Sequence, residues 1–162
     1  MSLTKPFAAL MLAIALAALC LAALGLTSVR GNAQDWQAPP RSGQVILAAG
    51  FTPDPYTVSV EGGGSIQASA RLGDECASHI SAAPSFSLTY NAGTFPLSIG
   101  AQGSDNIALL IRAPDGVWHC ETDAGSRPLT TFNPPQSGQY DVWLGHSRSG
   151  ATVSARLSIS EF

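Results

Sequence analysis

The sequence predicts an all-β protein: a β-sandwich, jelly-roll-like, of about eight or nine antiparallel strands, behind an N-terminal signal helix. Three observations lead there. The long apolar run is confined to Phe7–Leu26, and the chain beyond it is rich in Gly, Ser, Thr and Pro. Beyond residue 44, short β-type runs recur, each closed by a turn signal, at the spacing of about 8–12 residues that sandwiches show. No run beyond residue 43 repeats its apolar residues at the helical period.

At the N-terminus, Lys5 precedes Phe7–Leu26, and Gly31-Asn32-Ala33 places small residues ahead of a cut before Gln34. That is the anatomy of a secretory signal peptide over 1–33. An uncleaved single-span anchor is the alternative, because the apolar run is about 20 residues long; only then is a membrane a partner. A lipoprotein reading at Cys20 fits poorly, since Leu19 stands where a small residue is wanted. Residues 34–44, with Pro39, Pro40, Ser42 and Gly43, read as an extended lead-in to one domain over 45–162.

Val45–Ala48 is the first strand. Tyr56–Val60 alternates and stops at Gly62-Gly63-Gly64, and Ile66–Leu72 alternates again. Phe86–Tyr90 is the cleanest alternation and ends at Asn91-Ala92-Gly93; Leu97–Ile99 comes next. Ile107–Ile111 is nearly all apolar, as a strand covered on both faces would be. Ala113-Pro114-Asp115-Gly116 is a tight turn, with Pro setting φ and Gly tolerating positive φ, so Leu109–Cys120 reads as a hairpin. Leu129–Phe132 is short. Tyr140–Leu144 and Val153–Ile159 read as a closing pair around Ser147–Gly150.

Composition bounds the function. The chain has 162 residues, 45% hydrophobic and 12% charged, with mean hydropathy +0.16. Its length disfavours a (β/α)8 enzyme. The formal net charge of −3 disfavours a nucleic-acid partner. Beyond residue 33 there remain 129 residues, with six basic residues, all Arg, against eleven acids. Two cysteines remain as well, Cys76 and Cys120, and an even pair in an exported domain is most simply a disulfide.

Several blocks, taken in order, resemble the bacterial pre-peptidase C-terminal family of exported β-sandwich modules. They are Ala82–Tyr90 with Ala92-Gly93, Ser104-Asp105 with Ala108–Ile111 after it, Ala113–Cys120, and Pro135–Gly145. In that family a Leu/Val-patterned strand enters a Pro-Asp-Gly turn, which Asp115 and Gly116 match. A Ser-Gly-x-Tyr corner opens the penultimate strand, which Gly138 and Tyr140 match. The resemblance covers about residues 45–161. It implies a stand-alone subgroup, sometimes labelled serine peptidase by association, with cysteines at the positions of Cys76 and Cys120. That subgroup carries consecutive acids after its second cysteine, whereas here Thr122 separates Glu121 from Asp123.

The chemistry-bearing residues are few. His79, His119 and His146, several Asp and many Ser could supply a triad. Yet there is neither a Gly-Asp-Ser-Gly-Gly nucleophile loop nor a Gly-x-Ser-x-Gly elbow to build an oxyanion hole. A small secreted serine peptidase, or a peptidase-associated protein, is therefore the alternative and not the reading. Ca²⁺ is the candidate cofactor: hard cations want converging loop oxygens, and Asp105, Glu121 and Asp123 flank neighbouring strands. Asp115 falls at the far end of the same strand and shapes its turn instead. His119 beside Cys120 lacks a second Cys/His pair for zinc. Trp118, just past a turn, is the candidate binding aromatic, while Trp143 reads as core. The sum is a secreted or periplasmic, non-catalytic binding or accessory module. Its partner would be an exported or envelope protein, a peptide or a glycan.

Overall fold

Alternating runs bury one side chain in two, so several of them need a second layer, and the chain supplies two sheets. The structure, a computed structural model, describes residues 34–103, 107–122 and 125–162. Residues 1–33, read from the sequence as a signal peptide, therefore lie outside the described residues, as do Asp105 and Asp123.

Among the described residues eleven strands are formed: β1 Gln44–Ala48, β2 Tyr56–Gly64, β3 Ile66–Gln67, β4 His79–Ile80, β5 Phe86–Asn91, β6 Leu97–Gly103, β7 Ile107–Arg112, β8 Trp118–Glu121, β9 Leu129–Phe132, β10 Gly138–His146 and β11 Ala151–Ser160. The seven-stranded sheet is built on β10, which pairs with β7 along one edge and with β5, then β4, along the other. β1 extends it beyond β5, β8 beyond β7, and β3 beyond β4. The four-stranded sheet runs β2-β11-β6-β9. The β-sandwich is thus the fold, with more strands than the alternation suggests and several of them, β2, β6, β10 and β11, longer than their alternating runs.

Inward residues of both sheets make the main core. Phe86, Leu88, Leu109, Ile111, Val142 and Leu144 from the larger sheet meet Val60, Leu97, Ile99, Val153, Leu157 and Ile159 from the smaller. A second, smaller core lies on the opposite face of the large sheet, where Ala108, Leu110 and Trp143 are covered by Ala68, Cys76 and Ile80. That double cover explains the unbroken apolar run of β7.

Four local expectations change. Ile66–Leu72 is not one strand: β3 gives way to a short helix, α1 Ser69–Leu72, and a 3₁₀ turn, Asp74–Cys76. Ala68 and Leu72 are spaced i,i+4 and so share a helical face, and both pack on the second core. β2 does not stop at the glycines but runs through them. A Cβ on Gly62 would strike Leu144, and Gly63 has φ 79°, so the run lets β2 approach the large sheet closely. β10 and β11 are not a hairpin pair, because Ser147–Gly150 carries the chain from one sheet to the other. β11 pairs with β2 and β6. Lastly, β1 runs parallel to β5. The lead-in is tied alongside Ala82–Ser85 by Asp35 N–H to Ala82 O (2.8 Å), Arg41 N–H to Pro84 O (2.9 Å) and Ser42 N–H to Ser85 O (2.8 Å). It therefore delivers β1 in the direction of β5.

Candidate binding surface

Cys76 and Cys120 are joined, with Cα atoms 5.2 Å apart. The bond fastens the 3₁₀ turn to β8 and holds the cover over Trp143, which is fully buried. A disulfide here suits an oxidising compartment. Trp118 is half-buried and stacks obliquely on Trp143, ring centroids 4.8 Å apart, so much of its ring faces the second core.

Asp115 shapes its turn: its Oδ1 accepts the Val117 N–H at 2.9 Å and its Oδ2 accepts from Gln136 Nε2 at 3.0 Å. The Val117 N–H foremost, then Gln136 and the nearby His119, holds its carboxyl below the usual carboxylate range. Gly116 has φ 85°, as the turn requires. Across from it, Gly138 has φ 140° and lies against Pro114. Tyr140 is buried, donates its hydroxyl to Gln136 O at 2.8 Å and accepts the Gln136 N–H at 2.9 Å. Desolvation raises its pKa above the ordinary tyrosine value. Asp115, Gln136 and Tyr140 thus lock the Pro-Asp-Gly turn to the start of β10.

Glu121 is half-buried opposite Leu109, at the end of the β7–β8 ladder where β7 begins, and Asp115 is at the other end. No group of three or more His, Cys, Asp or Glu is placed to hold a metal ion among the described residues. Two of the three histidines are used locally, whereas the buried Nδ1 of His79 has no hydrogen-bond partner among the described residues. His119 packs edge-on against Phe132, centroids 4.9 Å apart, and His146 Nδ1 accepts the Arg148 N–H at 2.9 Å.

Sequence reasoning missed the feature that distinguishes this molecule, the outer face of the small sheet. Register sets Ser59, Arg156 and Gln102 side by side across β2, β11 and β6, and Ser158 beside Gly100 and Leu129 in the next row. Two clefts open on this face, about 390 and 630 Å³, and both include Gln102 and Arg156. The smaller adds Arg127, Pro128 and Leu129; the larger adds Arg41, Ser42 and Glu61. Half of the six arginines beyond residue 33 therefore gather here, opposed among the described lining residues by the single acid Glu61. The polar row Thr152, Ser154, Arg156, Ser158 was visible as the outward half of β11. Its neighbours were not, because strand order is not written in alternation.

A second polar feature sits on the outer face of the large sheet. Asp141 is fully buried, and its Oδ1 accepts from Ser87 Oγ and Gln139 Nε2, both at 2.7 Å. Beside it, Arg112 stacks on Trp36 of the lead-in, 4.2 Å from the ring centroid. These contacts pin the lead-in over the sheet.

No family model matches the chain, and no curated protein matches it. Among solved structures it is similar to Aeromonas hydrophila PliG, a periplasmic lysozyme inhibitor of g-type lysozyme. The identity is 14% and the TM-score 0.33, over 73% of this chain and 96% of that one.

Proposed function

We propose that this is an exported, non-catalytic binding module that presents the outer face of its small sheet to a partner outside the cytoplasm. One observation carries the reading. Most apolar side chains are spent on two cores, while that face gathers arginines, hydroxyls and Gln102 around two adjoining clefts, with Leu129 exposed at its edge. Such a surface recognises by charge and hydrogen bonds. The disulfide supports the exported location, and the resemblance to pre-peptidase C-terminal modules supports an accessory role. The histidine contacts support a non-catalytic reading: His146 spends a ring nitrogen on a backbone N–H and His119 rests on a phenyl ring, neither arrangement activating a hydroxyl.

Incubating purified residues 34–162 with casein, with and without a serine-directed covalent inhibitor, tests this. No inhibitor-sensitive turnover is expected. Turnover that disappears with one Ser→Ala substitution would make the chain a small serine peptidase instead. We also propose a structural Ca²⁺ held by Asp105, Glu121 and Asp123. Millimolar Ca²⁺ should then raise Tm relative to EDTA, and identical melting curves would remove the ion.

A further inference from the structure

We infer that the partner seated on this face is an acidic protein segment, in which carboxylates meet Arg156 and its flanking arginines while an aliphatic side chain enters the notch beside Leu129. The inference rests on the binding-module reading and adds the chemistry of the partner.

Charge complementarity is the first argument. The chain is acidic overall, at −3, yet Arg41, Arg127 and Arg156 line this face, and among the described lining residues Glu61 alone opposes them. All three arginines are exposed. Arg156 borders both clefts, with Arg41 in one and Arg127 in the other, so the three arginines are spread over the two adjoining clefts. Guanidinium forks grip carboxylates in bidentate fashion, and a spaced set of them suits a chain bearing carboxylates at intervals.

The notch is the second argument, and it separates a polypeptide from an acidic polysaccharide. Gly100 has no side chain at the register position between Ser158 and Leu129, which leaves a hollow. Pro128, Ala101 and Leu129, the last 56% exposed, wall it with carbon. A Cβ placed on Gly100 would come within 3.0 Å of Leu129 Cδ1, so the glycine is what lets the Leu129 side chain lie against the sheet and wall the notch. An apolar hollow between guanidinium groups accepts an aliphatic side chain and has no use for a sugar hydroxyl. The two clefts are lined without a Trp, Tyr or Phe ring, the usual platform for a sugar ring.

The probe is a fluorescein-labelled peptide of alternating glutamate and leucine blocks, titrated with residues 34–162 and followed by anisotropy. Saturable binding that weakens between 0.05 and 0.3 M NaCl is expected, because exposed charges are screened over roughly 8 Å at physiological salt. Arg156→Gln and Arg127→Gln should each raise Kd about tenfold, the loss of one charge-assisted contact. Leu129→Ser should weaken the glutamate–leucine peptide and leave a glutamate–glycine peptide unmoved. Arg71→Gln, on α1 and remote from this face, should change nothing. All four positions are exposed, and an unchanged Tm confirms that each variant is folded. An inert acidic peptide, equal affinity in the arginine variants, or tighter binding of a uronate polymer than of the peptide would each overturn the inference. Casein turnover alongside normal peptide binding would instead sink only the non-catalytic reading.

Discussion

Two carboxylates at the periphery carry more structure than their positions suggest. Glu161 is almost fully buried; its Oε1 accepts from Tyr90 Oη at 2.5 Å and its Oε2 accepts the Gly50 N–H at 2.7 Å. Its own N–H donates to Asp54 Oδ2 at 3.1 Å. The residue ties the end of β11 to β5 and to the loop after β1. Glu161→Ala leaves the buried Tyr90 hydroxyl without an acceptor, and urea denaturation should register a loss of about 1–3 kcal/mol. Burial first, and the bond to Glu161 second, raises the Tyr90 pKa. The stability this contributes is present below the ordinary tyrosine value of about 10 and is lost as pH rises through the folded value. Asp115 has the opposite sign. Its folded pKa is depressed, so its contribution is present above about 3.9 and disappears as pH falls through the folded value. Carboxyl NMR titration should place its midpoint below that of an exposed aspartate, and Gln136→Ala should move the midpoint upward.

At the scale of elements, the disulfide stakes the most on one contact. Cys76 and Cys120 are 44 residues apart, and closing such a loop stabilises by about 4 kcal/mol in the chain-entropy model. Replacing both by Ala should lower the unfolding free energy by that amount and expose the Trp143 ring to quenchers while the sheets persist. Elements whose signals are local were legible: the Pro114-Asp115-Gly116 turn, the alternation of Phe86–Tyr90 and the double cover of Ile107–Ile111. What escaped depends on partners distant in the chain. Val153–Ile159 alternates identically whether it pairs with β10 or with β2, so no local signal separates a hairpin from a crossing between sheets. Ala68 and Leu72 fit a strand's pattern and a helix's equally over so short a run, and only the waiting surface of Trp143 and Leu110 decides between them.

For the molecule as a whole, nearly every strand pairs with one remote in sequence: β1 with β5, β2 with β11, β5 with β10. Loop closure must precede these pairings, so refolding of the oxidised chain should take milliseconds to seconds by stopped-flow fluorescence. Microsecond refolding would contradict the topology. The arginine face is a property of this scale too. Arg41, Arg127 and Arg156 stand in unrelated stretches of sequence, and only the strand order β2-β11-β6-β9 and the lead-in's path assemble them.

The covalent bond between the 3₁₀ turn and β8 also governs what proteolysis can achieve. The exposed connection from Gly93 to Phe95 lies inside the loop that Cys76 and Cys120 close. A protease that nicks it divides the polypeptide without releasing either piece. The cut protein should run as one band on a non-reducing gel and as two after thiol treatment, so while the bond stays oxidised a single scission there leaves the arginine-bearing sheet tethered to its scaffold.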